Sequence, residues 1–414
     1  AGMRGWPSLR AARAVLAMET PGAPAASHSD AEVVRRAVRL SERGRRITAP
    51  NPWVGAVIVG PDGAILGEGF HRGPGQPHAE PEAFRDAEAR GCTDFSKCTI
   101  YTTLEPCHRG PGKRTPPCDE LCVAKRVRRC VVGHVDPDPK FGGAGVEFMR
   151  SAGIAVDVGV AEPEVRASLR AYLHHRSTGM PYVVVKIATS LDGRTSCADK
   201  TSQWITKAAA RQDAHRLRAD SQAVLVGSAT ALQDRPSLTV RLPEDPGLKQ
   251  QPLRVVLDTH GRVLEGPLMD TKVAPTLMLT SREHCPAEAR ARWEACGVQC
   301  AELPLRAPAD GGAPRLDLEA ALRELAGRGV LQLMVEGGAV LQGELLKAGL
   351  CQELRVYLGA TLLGATAQPW AQTELTSTIG EARFWRLREV RKLDDDVCME
   401  YEQIADGTSE RSAS

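Results

Sequence analysis

The sequence predicts an α/β protein with more than one domain, on three observations. The chain has 414 residues, and at a prior of roughly 150 residues per domain that length favours two or three domains. Hydrophobic residues make up 42% and charged residues 25%, which is typical of globular chains and excludes disordered, collagen-like and coiled-coil classes. Strand-like and helix-like hydrophobic patterns alternate along the chain, as they do in α/β layers.

Charge, hydropathy and cysteine content narrow the classes of partner. The 53 basic and 51 acidic side chains leave a net charge of +2, and no apolar run reaches the roughly 18 residues of a membrane helix. We therefore expect neither a nucleic acid nor a membrane as a partner. A small-molecule substrate and a homo-oligomer are further expectations. Twelve cysteines are too dilute for a disulfide scaffold, but six of them fall between Cys92 and Cys130, which indicates metal binding or catalysis.

The first domain is predicted over residues 30–165. Asp30 is the expected N-cap of an amphipathic helix over AEVVRRAVRLSERGR, and VGAVIV and AILGEGF predict a hairpin around the turn PDG. Helical and strand patterns then alternate through EPEAFRDAEAR, CTIYTTL, DELCVAKRV, CVVGHV and VEFMRSAG. The segment 166–180, with the helical pattern ASLRAYLHHRSTG, is predicted as the linker.

The second domain is predicted over residues 181–405. Its strand patterns are YVVVKIATSLDG, AVLVG, RVVLD, TLML, LQLMVEG, LRVYLG and VCMEYEQ, and its helical patterns are TKAAARQDAHRLRA, PAEARARWEAC, LEAALRELAGR and LQGELLKAG. RLPEDPGLKQQP and PLRAPADGGAPR are expected to be surface loops, and the tail 406–414 to be disordered.

Residues 1–29 form an N-terminal extension whose character is left open. It is rich in Ala and Ser and carries Arg4, Arg10 and Arg13 against one acid, Glu19, a composition that resembles an organellar transit peptide. The prediction is a plastid (chloroplast) location if this segment is a transit peptide and a cytoplasmic one otherwise; the alternative is an extension with no targeting role.

A candidate zinc centre stands out in the first domain. GQPHAE and the later EPCHRGPGKRTPPC supply His78, Glu80, Cys107 and Cys118. One imidazole and two thiolates that leave a fourth position open suit a catalytic Zn²⁺, and a non-ligand Glu two residues after the His can move protons in a hydrolytic deamination. Cys122 is an alternative to Cys118 as ligand.

Three other histidines near these motifs are not expected to bind the metal. His108 is expected to contact substrate or solvent. We expect His71 and His134 to be ordinary loop or strand-end residues.

The spacing of the cysteines distinguishes among deaminases. Ten residues separate Cys107 from Cys118, whereas the common deaminase motif is P-C-x-x-C. Together with NPWVGAVIV, GEGFHRGPGQPHAE and HVDPDP, the longer loop ending in RTPPC resembles the pyrimidine deaminase of riboflavin biosynthesis over residues 31–160. The resemblance implies a cytidine-deaminase-like three-layer domain, one Zn²⁺ per chain, catalysis by Glu80 and a substrate contact at Asn51.

The second domain resembles the dihydrofolate-reductase-like domain that is fused to this deaminase in bifunctional riboflavin-biosynthesis enzymes. The similarity rests on VVVKIATSLDGRTS, SQWIT, HRLRADSQAVLVGSATALQDRPSLTVR and LMVEGG. It implies that the substrate contacts are Ser202, Arg218, Leu238, Arg241 and Glu336. The implied NADPH contacts are Ala188, Trp204, Thr230, Asp234, Thr259 and the stretch from Gly337 and Gly338 to Glu344. Independently, EGGAVLQG follows a strand and opens a helix, so its backbone amides are suited to cradle a phosphate.

The resemblance as a whole implies hydrolytic deamination of 2,5-diamino-6-ribosylamino-4(3H)-pyrimidinone 5′-phosphate, followed by NADPH-dependent reduction of the ribosyl group to ribityl. Two alternatives stay open. One is a deaminase with a vestigial second domain, since Arg235 stands where the family has Asp or Asn. The other is a nucleoside or nucleic-acid deaminase, although a nucleic-acid enzyme should carry a basic stripe with interleaved aromatic residues.

Overall fold

The computed structural model describes residues 28–110, 116–139, 142–243, 250–307 and 312–404. Most of the N-terminal extension, the centres of both predicted surface loops and the tail from residue 405 lie outside these ranges. The predictions of a transit peptide and of a disordered tail therefore stay predictions. Within the described residues, no helix is both long and apolar enough to span a membrane.

The first sheet has five strands in the order β2-β1-β3-β4-β5, with β1 antiparallel to β2 and β3, and β3, β4 and β5 parallel. The strands are β1 (Gly55–Val59), β2 (Ile65–Phe70), β3 (Thr99–Leu104), β4 (Arg129–His134) and β5 (Ala155–Val158). The helices are α1 (Asp30–Ser41), α2 (Ala79–Ala89), α3 (Cys118–Ala124), α4 (Ala144–Ser151) and α5 (Glu162–Thr178), with a 3₁₀ turn at Glu42–Gly44. The predicted hairpin and the predicted alternation of strands and helices are both present; strand β5 was not predicted.

Helix α1 begins one residue earlier than the sequence pattern suggested. Its N-cap is Ser29, whose hydroxyl accepts from the Glu32 amide while the Glu32 carboxylate accepts from the Ser29 amide. Asp30 instead binds the Arg129 guanidinium and the Tyr101 hydroxyl. The prediction of Asp30 as N-cap is therefore wrong, because Ser29 and Glu32 have the spacing of a reciprocal capping box.

The second sheet has nine strands in the order β11-β10-β9-β8-β14-β6-β15-β18-β17, parallel from β11 to β15 and antiparallel at β15-β18-β17. Its strands are β6 (Tyr182–Thr189), β8 (Ala223–Gly227), β9 (Leu253–Leu257), β10 (Thr276–Thr280), β11 (Gln299–Glu302), β14 (Gln332–Val335), β15 (Glu353–Leu358), β17 (Trp385–Leu393) and β18 (Asp396–Gln403).

Two small ribbons pair β7 (Arg194–Ser196) with β16 (Gln368–Pro369), and β12 (Leu305–Arg306) with β13 (Arg315–Leu316). The helices are α6 (Ala208–Ala219), α7 (Ser228–Asp234), α8 (Ala287–Ala295), α9 (Leu318–Gly327) and α10 (Ala339–Lys347), and 3₁₀ turns lie at Pro267–Met269 and Ile379–Glu381. Every strand and helix predicted here is present, whereas α7, β11, β17 and the two ribbons were not predicted.

Helix α5 joins the two halves of the molecule. The segment 166–180 that we predicted as a linker lies mostly in this helix, whose buried residues Val165, Leu169 and Tyr172 belong to one core with side chains of both sheets. Polar contacts reinforce the junction: the Trp53 indole donates to Ser168 Oγ, and Arg46 from the first half pairs with Asp220 of the second at 2.7 Å. The residues between the two sheets therefore form a helix that packs against both of them.

Because Leu169 is fully buried where the two halves meet, Leu169→Ala should lower the free energy of unfolding by about 2 to 5 kcal/mol. Denaturant unfolding followed by far-UV circular dichroism and by tryptophan fluorescence is the measurement, and both signals should change in a single transition. Ser177→Ala, an exposed change on the same helix, should stay within about 0.5 kcal/mol of the parent. Two separate transitions in the parent would contradict a shared core.

Candidate active sites

Two glycines of β2 let helix α2 lie directly on the hairpin. A Cβ at Gly67 would stand 2.3 Å from the Ala83 carbonyl oxygen, and one at Gly69 would stand 2.2 Å from that of Ala79. Any side chain at either position would push the helix away from the sheet. This close packing fixes the start of α2, where His78 is the N-cap residue and Glu80 lies in the first turn.

The backbone at Cys107 closes the long loop between the two cysteines. The carbonyl oxygen of Cys107 accepts from the amides of Cys118 at 3.1 Å and Asp119 at 3.4 Å, which are first-turn donors of α3. A helix leaves its first amides without partners inside the helix, so this carbonyl acts as their cap. The two thiols are therefore brought together by backbone hydrogen bonds, whatever the length of the loop between them.

Three side chains converge as the sequence predicted. The Nδ1 atom of His78 lies 3.4 Å from Cys107 Sγ and 3.5 Å from Cys118 Sγ, and all three donor atoms lie within 4.8 Å of one another. Tetrahedral zinc with bonds of about 2.0 Å to nitrogen and about 2.3 Å to sulfur places these atoms about 3.6 Å apart. The donor set fits Zn²⁺ in both chemistry and spacing. Cys122 belongs to the apolar core of this domain, so the described residues favour Cys118 as the third ligand.

Glu80 lies beside this cluster and is nearly inaccessible to solvent. Burial, reinforced by the neighbouring Cys107, raises the pKa of its carboxyl to about 7. A carboxyl with this pKa can both accept and release a proton at neutral pH, which is what a proton shuttle requires.

His71 packs against His78, a contact that the sequence analysis did not predict. Asn51 Nδ2 lies 3.2 Å from His71 Nε2 and can only donate, so the His71 proton sits on Nδ1 and is donated to the Pro77 carbonyl. The His71 ring packs edge-on against His78 with centroids 5.0 Å apart. Asn51, a predicted substrate contact, thus reaches the metal ligand through His71.

Glu105 was also missed, although it lies two residues before Cys107. Its buried carboxylate accepts four backbone amides, those of Asp136, Gly143, Gly145 and Val146, at 2.8 to 3.2 Å. The last three belong to the start of α4 and the residue before it, so Glu105 fastens the end of β3 to that helix. His108, predicted to meet substrate or solvent, lies 2.5 Å from Asp119, which is buried.

The second site is a cavity of about 1520 Å³ beside the nine-stranded sheet. It lies near the carboxyl ends of β6, β8, β9 and β14, the edge where ligands bind in open α/β sheets. Twelve residues predicted in this domain line it: Ala188, Ser202, Trp204, Arg218, Thr230, Asp234, Leu238, Arg241, Thr259, Glu336, Gly337 and Gly338. Their contacts with a ligand stay predictions, but the fold brings them together.

The parts of this cavity differ in chemistry. At one part, Arg218 pairs with Glu336 at 2.7 Å, and Arg241 donates to Ser237 Oγ and Thr239 Oγ1. At another, Gly338 precedes α10, and a Cβ there would stand 3.3 Å from Thr230 Oγ1 of α7, so the Thr230 side chain would have to shift slightly to accommodate it. Trp204 is 67% exposed, with the Arg211 guanidinium 4.4 Å from its ring centroid.

Lys186 and His215 also line the cavity and were not predicted. Burial lowers the pKa of Lys186, which Glu336 partly restores, and burial together with Arg218 lowers the pKa of His215 to about 4. Burial alone would raise the pKa of Glu336, but Arg218 and Lys186 outweigh it and hold that pKa below its ordinary value. A charged residue inside the apolar strand YVVVKIAT was the available signal for Lys186.

Comparisons with known proteins cover both domains. A family model described as the cytidine and deoxycytidylate deaminase zinc-binding region matches residues 27–134, and one described as the RibD C-terminal domain matches residues 181–399. The riboflavin biosynthesis protein RibD of Chlamydia trachomatis serovar D is 39% identical over 378 residues, which cover 90% of this chain and 96% of that protein. RibD of Escherichia coli strain K12 is 37% identical and covers 89% of this chain and 98% of its own length.

Solved structures extend the likeness to three dimensions. Acinetobacter baumannii RibD superposes with a TM-score of 0.79 at 35% identity, over 91% of this chain and 99% of the other. A diaminohydroxyphosphoribosylaminopyrimidine deaminase/5-amino-6-(5-phosphoribosylamino)uracil reductase from Thermotoga maritima superposes with a TM-score of 0.77 at 30% identity, with the same coverage.

Replacing each candidate sulfur ligand in turn checks the ligand set. Cys118→Ser should reduce the zinc content well below one per chain, because a serine hydroxyl is a poor replacement for a thiolate on zinc. Cys122 is a buried cysteine one helical turn further along α3, and the Cys122→Ser variant should keep one zinc per chain. Elemental analysis after dialysis against a weak chelator measures both, and loss of zinc from a folded Cys122→Ser protein would contradict the assignment.

Proposed function

The chain belongs to the RibD family of bifunctional deaminase–reductases of riboflavin biosynthesis, and we propose that it carries out the two reactions at the two sites described above. The fold class is confirmed as a cytidine-deaminase-like domain followed by a dihydrofolate-reductase-like domain. The observation that carries the assignment of residues is the convergence at each site of side chains predicted from separate sequence motifs.

For the first domain, we propose 2,5-diamino-6-ribosylamino-4(3H)-pyrimidinone 5′-phosphate as substrate and loss of its 2-amino group by hydrolysis. His78, Cys107 and Cys118 would hold the zinc, which when bound supplies a Lewis acid that activates water for attack. Glu80 takes a proton from the attacking water and delivers it to the departing ammonia. Burial of Glu80 supports this role, because its pKa of about 7 permits both transfers.

For the second domain, we propose reduction of the ribosyl group of the deaminated product to ribityl. NADPH, when bound, supplies the hydride that C1′ receives. The glycines before α10 would let the cofactor backbone approach the amides at the start of that helix, since a glycine has no side chain to cover them. Arg218 and Glu336 hold each other in place and present a guanidinium and a carboxylate to the sugar.

The charges of this site suit a phosphate dianion. The described lining of the cavity includes nine lysine and arginine residues and four acidic ones. Burial and the neighbouring Arg218 lower the pKa of His215 to about 4, so this imidazole adds no positive charge at neutral pH. Burial and the nearby Arg218 lower the pKa of Arg241, so the two guanidiniums repel each other in the free protein. A bound dianion would relieve that repulsion.

Two observations weigh on the alternatives. Twelve residues that the resemblance assigns to the reductase site line the cavity, and Arg235, which stands where the family has Asp or Asn, forms an ion pair with Glu265 at 2.8 Å. This supports an active second domain over a vestigial one. The net charge of +2 and the aromatic content of 4% support a small-molecule substrate over a polynucleotide.

We also propose a homo-oligomer. Strand β17 is an edge strand of the nine-stranded sheet and exposes Leu387 and Val390, next to the exposed Phe384. An exposed edge with apolar side chains favours pairing with another chain, here a second copy. Sedimentation velocity at several concentrations tests this, and a monomer throughout would contradict it.

An assay with and without NADPH tests the proposed function. The purified protein should release ammonia from the diaminopyrimidine phosphate without NADPH, and with NADPH it should also oxidise the cofactor in step with formation of the ribityl product. Release of ammonia with no oxidation of NADPH would favour the deaminase with a vestigial second domain.

Glu80→Gln should abolish deamination while one zinc per chain stays bound, because the amide cannot carry the proton but the three ligands are intact. Elemental analysis and an ammonia assay measure the two outcomes. Reduction of the supplied deaminated substrate, at the other site, is the control and should stay near the parent rate. Zinc loss from this variant would contradict the role of Glu80.

Arg241→Ala should raise the reductase KM for the phosphorylated substrate by a factor on the order of 10 to 100, equivalent to roughly 1.4 to 3 kcal/mol, because a guanidinium can bind phosphate through two charge-assisted hydrogen bonds. The KM for NADPH should change little. The dephosphorylated substrate should bind parent and variant about equally. If the variant still discriminates against that compound as strongly as the parent does, Arg241 is not the phosphate ligand.

A further inference from the structure

Two cysteines of the cysteine-rich stretch have no part in the zinc centre. Cys92 follows the end of α2 and Cys98 directly precedes β3, so the pair stands on either side of the loop that joins the two elements. Both are free thiols in the structure, and neither belongs to the cluster of donor atoms formed by His78, Cys107 and Cys118. The metal therefore does not account for these two cysteines.

The two thiols converge on one acceptor. Cys92 Sγ donates to the Asp94 carbonyl oxygen at 3.6 Å, and Cys98 Sγ donates to the same oxygen at 3.8 Å. The two sulfur atoms also interact with each other: burial, the neighbouring Cys92 and a hydrogen bond with its thiol raise the pKa of Cys98 to about 11. Side chains at the two ends of the loop are thus brought into contact.

Local contacts hold the loop in this conformation. The Cys92 amide donates to the Ala87 carbonyl at 3.0 Å, and the Cys98 amide donates to the Phe95 carbonyl at 2.9 Å. Between them, the Phe95 ring packs edge-on against Phe84 of α2 with centroids 5.0 Å apart. Because the native fold already fixes the loop, the two thiols meet without the entropy loss of closing a flexible segment.

The two thiols differ in access, which sets the order of their reactions. Cys92 is partly exposed, whereas Cys98 is 2% exposed, so Cys92 is the one that meets a dissolved reagent. The raised pKa keeps Cys98 protonated, and part of that increase comes from Cys92 itself. Once the Cys92 sulfur is bonded to another sulfur, it no longer carries the charge that opposes ionisation of Cys98. Cys98 is therefore placed to react second.

We propose that Cys92 and Cys98 form a thiol–disulfide exchange site for a small disulfide of the glutathione class. The Cys92 thiolate attacks one sulfur of glutathione disulfide, breaks its S–S bond and releases one glutathione. The Cys98 thiolate then attacks the Cys92 sulfur of this mixed disulfide, forms the Cys92–Cys98 bond and releases the second glutathione. The two protein thiols lose two electrons and two protons in all, and glutathione disulfide gains both to become two thiols.

The bond ties together the two elements that carry the deaminase residues, at their ends away from the zinc. Helix α2 begins next to His78 and carries Glu80 in its first turn, and β3 leads to Cys107. Cys92 and Cys98 lie at the opposite ends of these elements, so the exchange involves no metal ligand. The bond closes a short loop and should stabilise the native state by restricting the unfolded chain.

Peptide mapping of the zinc-loaded protein tests the site. The protein is incubated with glutathione disulfide, its free thiols are blocked with N-ethylmaleimide, and it is digested with trypsin. Cleavage after Arg90 and Lys97 separates the two cysteines into two peptides, which the bond should hold together until dithiothreitol releases them. The second peptide also contains Cys107, so fragmentation in the mass spectrometer should place the bond at Cys98.

Two variants separate the roles of the thiols. Cys98→Ser should stop at the mixed disulfide, with glutathione on Cys92, because no second thiol can displace it. Cys92→Ser should leave Cys98 unmodified, because that thiol is buried. Cys300→Ser is the matched control: it removes an exposed cysteine of the other domain, and the linked peptides should persist. An unchanged deaminase rate in dithiothreitol shows that each variant is folded.

The Tm measures whether the bond fits the native fold. The oxidised parent should unfold about 2 to 4 °C above the reduced parent, and Cys98→Ser should show no such rise. Three results would overturn the proposal. The parent could keep glutathione on Cys92 without forming the linked peptides, the bond could join Cys92 to a different cysteine, or oxidation could lower the Tm, which would mean that the loop must distort to accept the bond.

Discussion

The hydrophobic core around helix α5 is the constraint on which both sites depend. Strand β6 runs through the centre of the larger sheet and is buried on both faces: Tyr182 and Val184 face the core shared with α5, and Val183 and Val185 face the opposite one. Because α5 packs on β6 and also on the first sheet, the zinc ligands and the reductase cavity belong to one continuous packed body. A change in the packing of α5 therefore reaches both sites, although neither site includes a residue of that helix.

The sequence was most informative where chemistry restricts the choice of residue. His78, Cys107 and Cys118 could be named because few residue types bind zinc, and the glycines at 337 and 338 because they stand between a strand and a helix. Hydrophobic periodicity predicted seven strands and four helices of the second domain, and all of them are present. It missed α7, which has only seven residues, and β17, in which arginines and a lysine interrupt the apolar alternation. Short elements and charged edge strands leave little periodic signal.

Residues that act through other residues could not be recognised in advance. Glu105 looks like part of a ligand motif, yet its carboxylate binds four amides that come from a segment about 30 to 40 residues further along. His71 looked like an ordinary loop residue because nothing in the sequence shows that its ring will pack on His78. In each case the missing information is a contact between segments distant in sequence, which only the fold supplies.

The shared core also constrains how the chain can be synthesised. The ribosome completes the first domain, including α5, before β6 and the rest of the second sheet exist. Until they do, the face of α5 on which Arg170 and His174 contact Tyr182 of β6 has no partner. The nascent first domain therefore carries one uncovered helix face until the strands of the second sheet have been translated.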